Sequence, residues 1–257
     1  MIEVKNIRKS FNRTKVLKGI SAVFEKGKTN MIIGQSGSGK TVFLKTIMGL
    51  ITPDEGEVAF DGRIWQQLNE KEKLSIRKEM GVVFQGNALF DSLTIEENVG
   101  FPMKMFADKS KSEIKNRVAE VLEQVGLPGV QKKFPSELSG GQQKRVAIAR
   151  AIVLYPKYLF ADEPNSGLDP KTAIRIDDLL HELTVQYNTT TLVNTHDMNS
   201  IMEIGEKIIL LKNGYKAWEG TKDEIFYSDN PDLIDFIFSS DLYKQMRELF
   251  LKFGFKK

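Results

Sequence analysis

Apolar residues fall in short blocks along the 257-residue chain, and the spacing within the blocks switches between the strand and the helix period. Residues 2–33 read as strands: "VLKGISAVF" and "TNMIIG" are β-branched and apolar, with a turn at Glu25, Lys26 and Gly27. The second run enters a glycine-rich loop, and the apolar-periodic segment 41–50 behind it predicts a helix. "TPDEG" is a turn by composition, followed by a short strand "EVAFDG", a charged stretch over 69–78 and a strand "GVVFQ" at 81–85. Residues 93–135 predict mostly helix, with breaks at Pro102, near 108–110 and at "GLPG". Alternation then resumes, with strand 158–162, helix 170–187, strand 190–195, helix 197–205 and strands 207–212 and 215–219. There is no internal repeat.

Strands alternating with helices predict an α/β fold, a mixed and mostly parallel sheet with helices on both faces and an N-terminal antiparallel β part. The helical run is expected to be a subdomain, about 86–156, inserted in a domain of residues 1–240, with 241–257 as a tail. In that tail Leu242, Met246, Leu249, Phe250 and Phe253 lie on one face of an amphipathic helix, with Lys244, Arg247 and Lys252 largely elsewhere. Such a helix packs on its own domain or a partner subunit, or lies on an anionic membrane surface.

Composition narrows the class. With 41% hydrophobic and 28% charged residues the chain is ordinary globular protein. No run approaches the roughly 18–20 apolar residues that cross a bilayer, and "MIEVKNIRKSF" alternates like a strand, so a secreted or integral membrane protein is not expected. The absence of cysteine removes disulfide and thiolate chemistry and fits the cytosol. A net charge of +3 is too small to imply nucleic acid, and the tail accounts for it.

The candidate chemistry starts in the glycine-rich loop. "GQSGSGKT", residues 34–41, fits the phosphate-binding pattern G-x-x-x-x-G-K-[ST] in the required strand–loop–helix context. Glycines let successive N–H groups converge on phosphate oxygens, and the next helix points its positive end at them. Lys40 reaches the β/γ-phosphates in this reading, and the Thr41 hydroxyl is a Mg²⁺ ligand. "YLFADEP" ends an apolar strand in two carboxylates: Asp162 can hold Mg²⁺ and Glu163 can polarise an attacking water. Gln85 and His196 each close a further apolar run; Gln85 can bridge Mg²⁺ or water, and a strand-capping role is open for both. The ends of parallel strands are where doubly wound folds place their sites.

Phosphate loop, Gln85, "LSGGQ", "DEP", "SGLD" and His196 occur in the order and spacing of the ABC transporter ATP-binding subunits, which the chain resembles over about residues 2–220. The resemblance implies a P-loop NTPase core with ATP and Mg²⁺ as cofactors. Gly34, Gln35, Ser36, Gly37, Ser38, Gly39, Lys40, Thr41 and Val42 would hold the nucleotide, with Val16, and with Phe11 stacking on adenine where the family commonly has tyrosine. Thr41, Gln85 and Asp162 would hold the metal; Glu163, His196, Lys40 and Gln85 would carry catalysis. Ser139, Gly140, Gly141 and Gln142 would form the signature motif, 166–169 the D-loop. In such proteins two subunits pair head to tail, each ATP lying between one phosphate loop and the partner's signature motif.

The signature stretch fits that role, since Ser139-Gly140-Gly141 start an expected helix over 142–153 with free N–H groups suited to a γ-phosphate. Lys144, Arg145 and Arg150 read as solvated or packing charges. "FQGNALFDSLTIEENVGFPM", residues 84–103, is similar to ATPases of the Mla/MCE-type lipid transporters, while "SGGQQKR" and "NSGLD" are closer to general importers of amino acids, metals or lipoproteins. The resemblance implies a second copy of the chain, a membrane permease and an MCE-domain protein as partners, no nucleic acid, and a place on the inner face of the cell membrane. Leu89, Phe90 and Phe101 would either receive the permease or be core.

Overall fold

The structure, a computed structural model, describes residues 1–253. Residues 254–257 of the expected tail, and the side chain of Phe253, lie outside the described residues. In chain order the elements are β1 (Ile2–Phe11), β2 (Thr14–Phe24), β3 (Thr29–Ile33), α1 (Lys40–Ile47), β4 (Glu55–Phe60), β5 (Arg63–Ile64), α2 (Glu70–Lys78) and β6 (Met80–Val83). Then come α3 (Ile95–Phe106), α4 (Lys111–Gln124), α5 (Gly140–Ile152), β7 (Tyr158–Asp162), α6 (Pro170–Tyr187), β8 (Thr190–Asn194) and α7 (Met198–Ile204). β9 (Lys207–Lys212), β10 (Tyr215–Gly220), α8 (Lys222–Ile225), α9 (Pro231–Ile237) and α10 (Asp241–Phe253) close the chain. Two compact units form, one from 1–25, 29–67 and 194 onward, the other from 26–28 and 68–193.

In the first unit an antiparallel sheet runs β2-β1-β4-β5. Asn12 and Arg13 both take left-handed backbone, which is what a two-residue hairpin loop with the natural strand twist requires. They divide the first strand region into β1 and β2. Asp61-Gly62 repeats the device and creates β5, which the sequence reading had not resolved from β4. A second group runs β10-β9-β3, with β3 parallel and β10 antiparallel to β9. Helix α1 buries Phe43 against Phe24, ring centroids 6.4 Å apart, each fully buried. Each such ring contributes about 2–3 kcal/mol.

Helix α10 packs on this unit through Phe250, stacked 4.0 Å from Phe226, and through Arg247, which donates to the Phe226 and Ser228 carbonyls. Tyr243 and Met246 share that half-buried face, while Leu242, Leu249 and Leu251 are exposed. The inward stripe is thus rotated from the one the hydrophobic spacing predicts, because Arg247 turns inward and sets its guanidinium 5.3 Å from the Phe238 ring centroid.

In the second unit β6 and β7 pair in parallel, and β8 lies beside β7. Helix α5 is its centre: Val146, Ala147, Ile148 and Ala149 are all fully buried, since α3, α4, α6 and β6 cover it on every side. It begins at Gly140, two residues before the expected start. Helix α3 runs through Pro102, where a break was expected. The ring removes one hydrogen bond, but a capping box at Thr94/Glu97 and buried Ile95, Val99 and Met103 hold both halves. The breaks at 108–110 and at "GLPG" fall outside helices. The charged stretch is helix α2, capped by Asn69 and Glu72; only Ile76 of it is buried, so it shows little periodicity. The protein therefore has an α/β fold with mixed sheets, and the loops after its parallel strands carry the candidate residues.

Candidate functional site

In the first unit, the loop between β3 and α1 carries Gly34, Gly37 and Gly39 at φ 145°, 80° and 103°, conformations that side chains rarely adopt. A Cβ on Gly34 would lie 2.3 Å from the Leu211 carbonyl oxygen, whereas Gly37 faces open space. Gln35 and Ser36 are exposed at the loop tip, and Val42 lies half-buried in the first turn of α1. Lys40 is buried, its ammonium donating to the carbonyls of Gly34 (2.8 Å) and Gln35 (3.1 Å). The Ser38 hydroxyl is buried with no partner. A donor-rich cradle with an orphaned hydroxyl fits an anion such as a triphosphate.

Around it, the Gly214 amide donates to the Ser38 carbonyl (3.2 Å) from the Asn213-Gly214 turn between β9 and β10. Asn194, the last residue of β8, donates through Nδ2 to the Thr41 hydroxyl (3.4 Å). The Val16 carbonyl lies 3.3 Å from where a Gly39 Cβ would be. Phe11 is 43% exposed, with the Lys9 ammonium over its ring, 5.5 Å from the centroid. Asp54 accepts from Lys9 and from the Ser10 amide, each at 2.7 Å, and those bonds hold its carboxyl below the usual range. His196 is exposed, two residues beyond β8 rather than at its end.

In the second unit, β7 ends on buried Asp162, and the next residue, Glu163, stands at φ 50°. A left-handed glutamate costs of order 1–3 kcal/mol and is kept only where its surroundings over-determine it. Here the Ser166 amide closes a turn on the Glu163 carbonyl (3.2 Å), and Asn165 donates to buried Asp177 (3.1 Å). Gln85 lies two residues past the end of β6, not on it, because residues 86–88 turn back with Asn87 and Ala88 left-handed. Its side chain donates to the Ser166 hydroxyl (3.4 Å) and its carbonyl accepts from Lys144. Lys144 is buried, which pushes its ammonium down, with the Glu163 charge opposing. Arg150 donates to the Asn87 and Ala88 carbonyls at 2.8 and 2.7 Å, so Lys144 and Arg150 are packing charges rather than solvated ones.

Helix α5 starts on a capping box in which Ser139 accepts from the Gln142 amide (3.3 Å) and Gln142 accepts from the Ser139 amide (3.0 Å). Gly140 and Gly141, whose first-turn N–H groups have no intrahelical acceptor, line a cleft of about 620 Å³. A Cβ on Gly141 would meet the Thr172 methyl at 2.6 Å, so helix α6 fits tightly against this start. A separate, mostly apolar groove of about 450 Å³ is lined by Phe84, Phe90, Phe101, Phe106 and Leu154. Phe90 is 43% exposed and 4.9 Å from Phe101, so these rings are not core.

Among the described residues no group of three or more His, Cys, Asp or Glu could hold a metal alone. Mg²⁺ takes most of its ligands from phosphates and waters, so Thr41 in the first unit, and Gln85 and Asp162 in the second, are each suited to give a single oxygen to such an ion. The sequence reading missed Asn194, the bond that ties Ser166 of the 166–169 segment to Gln85, and the anchoring by Lys144 and Arg150. A polar asparagine closing the apolar run "TTTLVN" was the available signal for the first; nothing local marks the others.

An ABC transporter family profile matches residues 17–166. The chain is 36% identical over 236 residues to the "Probable ribonucleotide transport ATP-binding protein mkl" of Mycobacterium leprae, covering 92% of this chain and 68% of that protein. It is 40% identical to the methionine import ATP-binding protein MetN of Clostridioides difficile, over 91% of this chain and 72% of that one. The chain thus spans about two-thirds of these relatives' length. Among solved structures, a dimeric ATP-binding cassette, MJ0796, in a post-hydrolysis state with ADP and Pi, superposes with TM-score 0.79 at 36% identity, covering 86% of this chain and 99% of that one. For cbiO1 of Clostridium perfringens, part of the cbiONQ transporter complex, the TM-score is 0.82 at 28% identity, covering 97% and 98%. Phosphate loop, strand-end carboxylates and capped signature helix thus sit in a chain that belongs to the ABC transporter family as an ATP-binding subunit, an ATPase working on ATP with Mg²⁺.

Proposed function

We propose that two copies of this chain close head to tail on ATP and that their closing and reopening drives a membrane permease. In this reading residues 34–42 with Val16 and Phe11 hold the nucleotide, Lys40 meets the β/γ-phosphates, and Thr41, Gln85 and Asp162 serve Mg²⁺. Glu163 takes the proton of the attacking water, His196 senses the γ-phosphate, and Ser139–Gln142 of the other copy cover it. Residues 86–156 act as the helical subdomain. The observation that carries the reading is the start of α5: Gly140 and Gly141, with their first-turn N–H groups unused within the helix, line a cleft, a second turn suited to phosphate besides the phosphate loop. The test is Glu163→Gln. It should bind ATP, accumulate a dimer in size-exclusion chromatography and hydrolyse little; wild-type turnover would refute the assignment.

For the cargo we propose a phospholipid, moved with a permease and an MCE-domain protein at the inner face of the cell membrane. The support is the similarity of residues 84–103 to lipid-transporter ATPases, together with the exposed aromatic groove those residues help line. Among the described residues no helix is long and apolar enough to cross a membrane, so the permease would be separate. The second reading is amino-acid import, favoured by the 40% identity to the methionine importer subunit. Purifying the chain with its membrane partners and comparing stimulation of ATPase by phospholipid and by methionine separates the two.

A further inference from the structure

The signature helix carries two cations whose partners are main-chain oxygens of one short segment. Lys144, 3% exposed, donates to the Gln85 carbonyl. Six residues on, Arg150 forks onto the Asn87 carbonyl (2.8 Å) and the Ala88 carbonyl (2.7 Å). Those two residues stand at φ 60° and 52°, and for alanine such backbone has no compensating side-chain bond. Left to itself, the segment would relax to extended or right-handed backbone, moving Gln85 with it. Asn98 then ties the far side, accepting from the Phe90 amide and donating to the Phe90, Leu93 and Thr94 carbonyls.

The shape of the guanidinium decides what Arg150 can do. Two parallel N–H groups reach two successive carbonyls, a geometry one ammonium cannot copy. Lys144 is a point charge on a single carbonyl, and burial makes its loss costly because the Gln85 oxygen would be left without that donor. Both cations leave from the helix whose first turn is the signature motif.

We infer that Lys144 and Arg150 are positioning residues that make the signature helix and the 85–88 segment one body, holding Gln85 where it acts on the nucleotide. Their partners are main-chain carbonyls of 85–88, and they act through Gln85. The inference rests on the assignment of Gln85 and the signature motif above. A displacement of the aromatic groove would then move Gln85 and the start of α5 together.

The test compares Lys144→Met, Arg150→Met, Lys144→Arg and Arg150→Lys with wild type in the full chain. For each, kcat and KM for ATP, the stoichiometry and affinity of a fluorescent ATP analogue, and hydrogen exchange of residues 84–92 are measured. The methionine variants should lose about tenfold or more in kcat, as truncation of a charged hydrogen bond does. KM and nucleotide stoichiometry should stay within about twofold, as the phosphate loop lies in the other unit, and exchange over 84–92 should rise about tenfold. Lys144→Arg should recover most of the rate, Arg150→Lys only part. Wild-type kcat and exchange in both methionine variants would overturn the inference. So would a rate loss matched by an equal loss of nucleotide stoichiometry, which marks misfolding. Failure of the underlying assignment is read separately, as hydrolysis by Glu163→Gln or by Gln85→Ala at the wild-type rate.

Discussion

Two helices of this protein begin on turns ready for phosphate, and they are built in opposite ways. Helix α1 starts from Gly39 at φ 103° with no side-chain cap, behind a loop of glycines that folds around a buried lysine. Helix α5 starts from an extended Ser139 whose side chain is engaged in a capping box, with no cation in its first turn. In the proposed function the first is a concave nest that would surround an anion by itself. The second is a capped helix end that would offer one face to an anion held elsewhere. Capping makes the difference: Ser139 and Gln142 satisfy each other at the start of α5, whereas the Ser38 hydroxyl in α1's loop is buried with no partner. In the proposed function one turn serves binding and the other closing.

The sharpest way to separate the two is chemistry that needs both. Glu163→Gln should cut kcat by about 100-fold or more, the scale of losing a general base, with ATP affinity kept and dimer accumulating. Lys40→Ala attacks the nest alone: ATP affinity should fall about 10–100-fold by titration, because charge-assisted bonds to phosphate go. If the monomer kept its affinity, the nest would not be the binding half. Phe11→Ala should weaken ATP by about fivefold to tenfold, a stacking loss of about 1–1.5 kcal/mol, while Phe11→Tyr stays near wild type. The smallest effect is expected at the other helix. Ser139→Ala removes the cap and should lower unfolding stability by about 1 kcal/mol in denaturant titration. Nucleotide affinity of the monomer should not change; a change would break the distinction between the two turns.

Much of this was legible in the linear chain. β7, α6 and β9 fall on their expected residues because each has a clear period and a hard stop: the strand before "DEP", Asp169-Pro170 as cap and first turn, and Asn213-Gly214 as hairpin turn. The glycine-rich loop was legible because its geometry is local, set within the eight residues 34–41. Helix α2 was not, because one buried residue in nine leaves no pattern. Pro102 misled because proline's local penalty was outweighed by burial on either side. The stripe of α10 was rotated because hydrophobic spacing cannot foresee an arginine laid on Phe238.

The sequence by itself determined the kind of protein: the strand–loop–helix order, the glycine-rich loop, the strand-end carboxylate pair and the Ser139 cap are all set by neighbours along the chain. Only the tertiary structure decided that Glu163 is held left-handed, that Asn194 reaches Thr41, and that Lys144 and Arg150 grip the backbone around Gln85. The reason is sequence distance. Lys144 and Gln85 are 59 residues apart, Asn194 and Thr41 153, and no local propensity encodes a bond that exists only when burial brings two distant segments together.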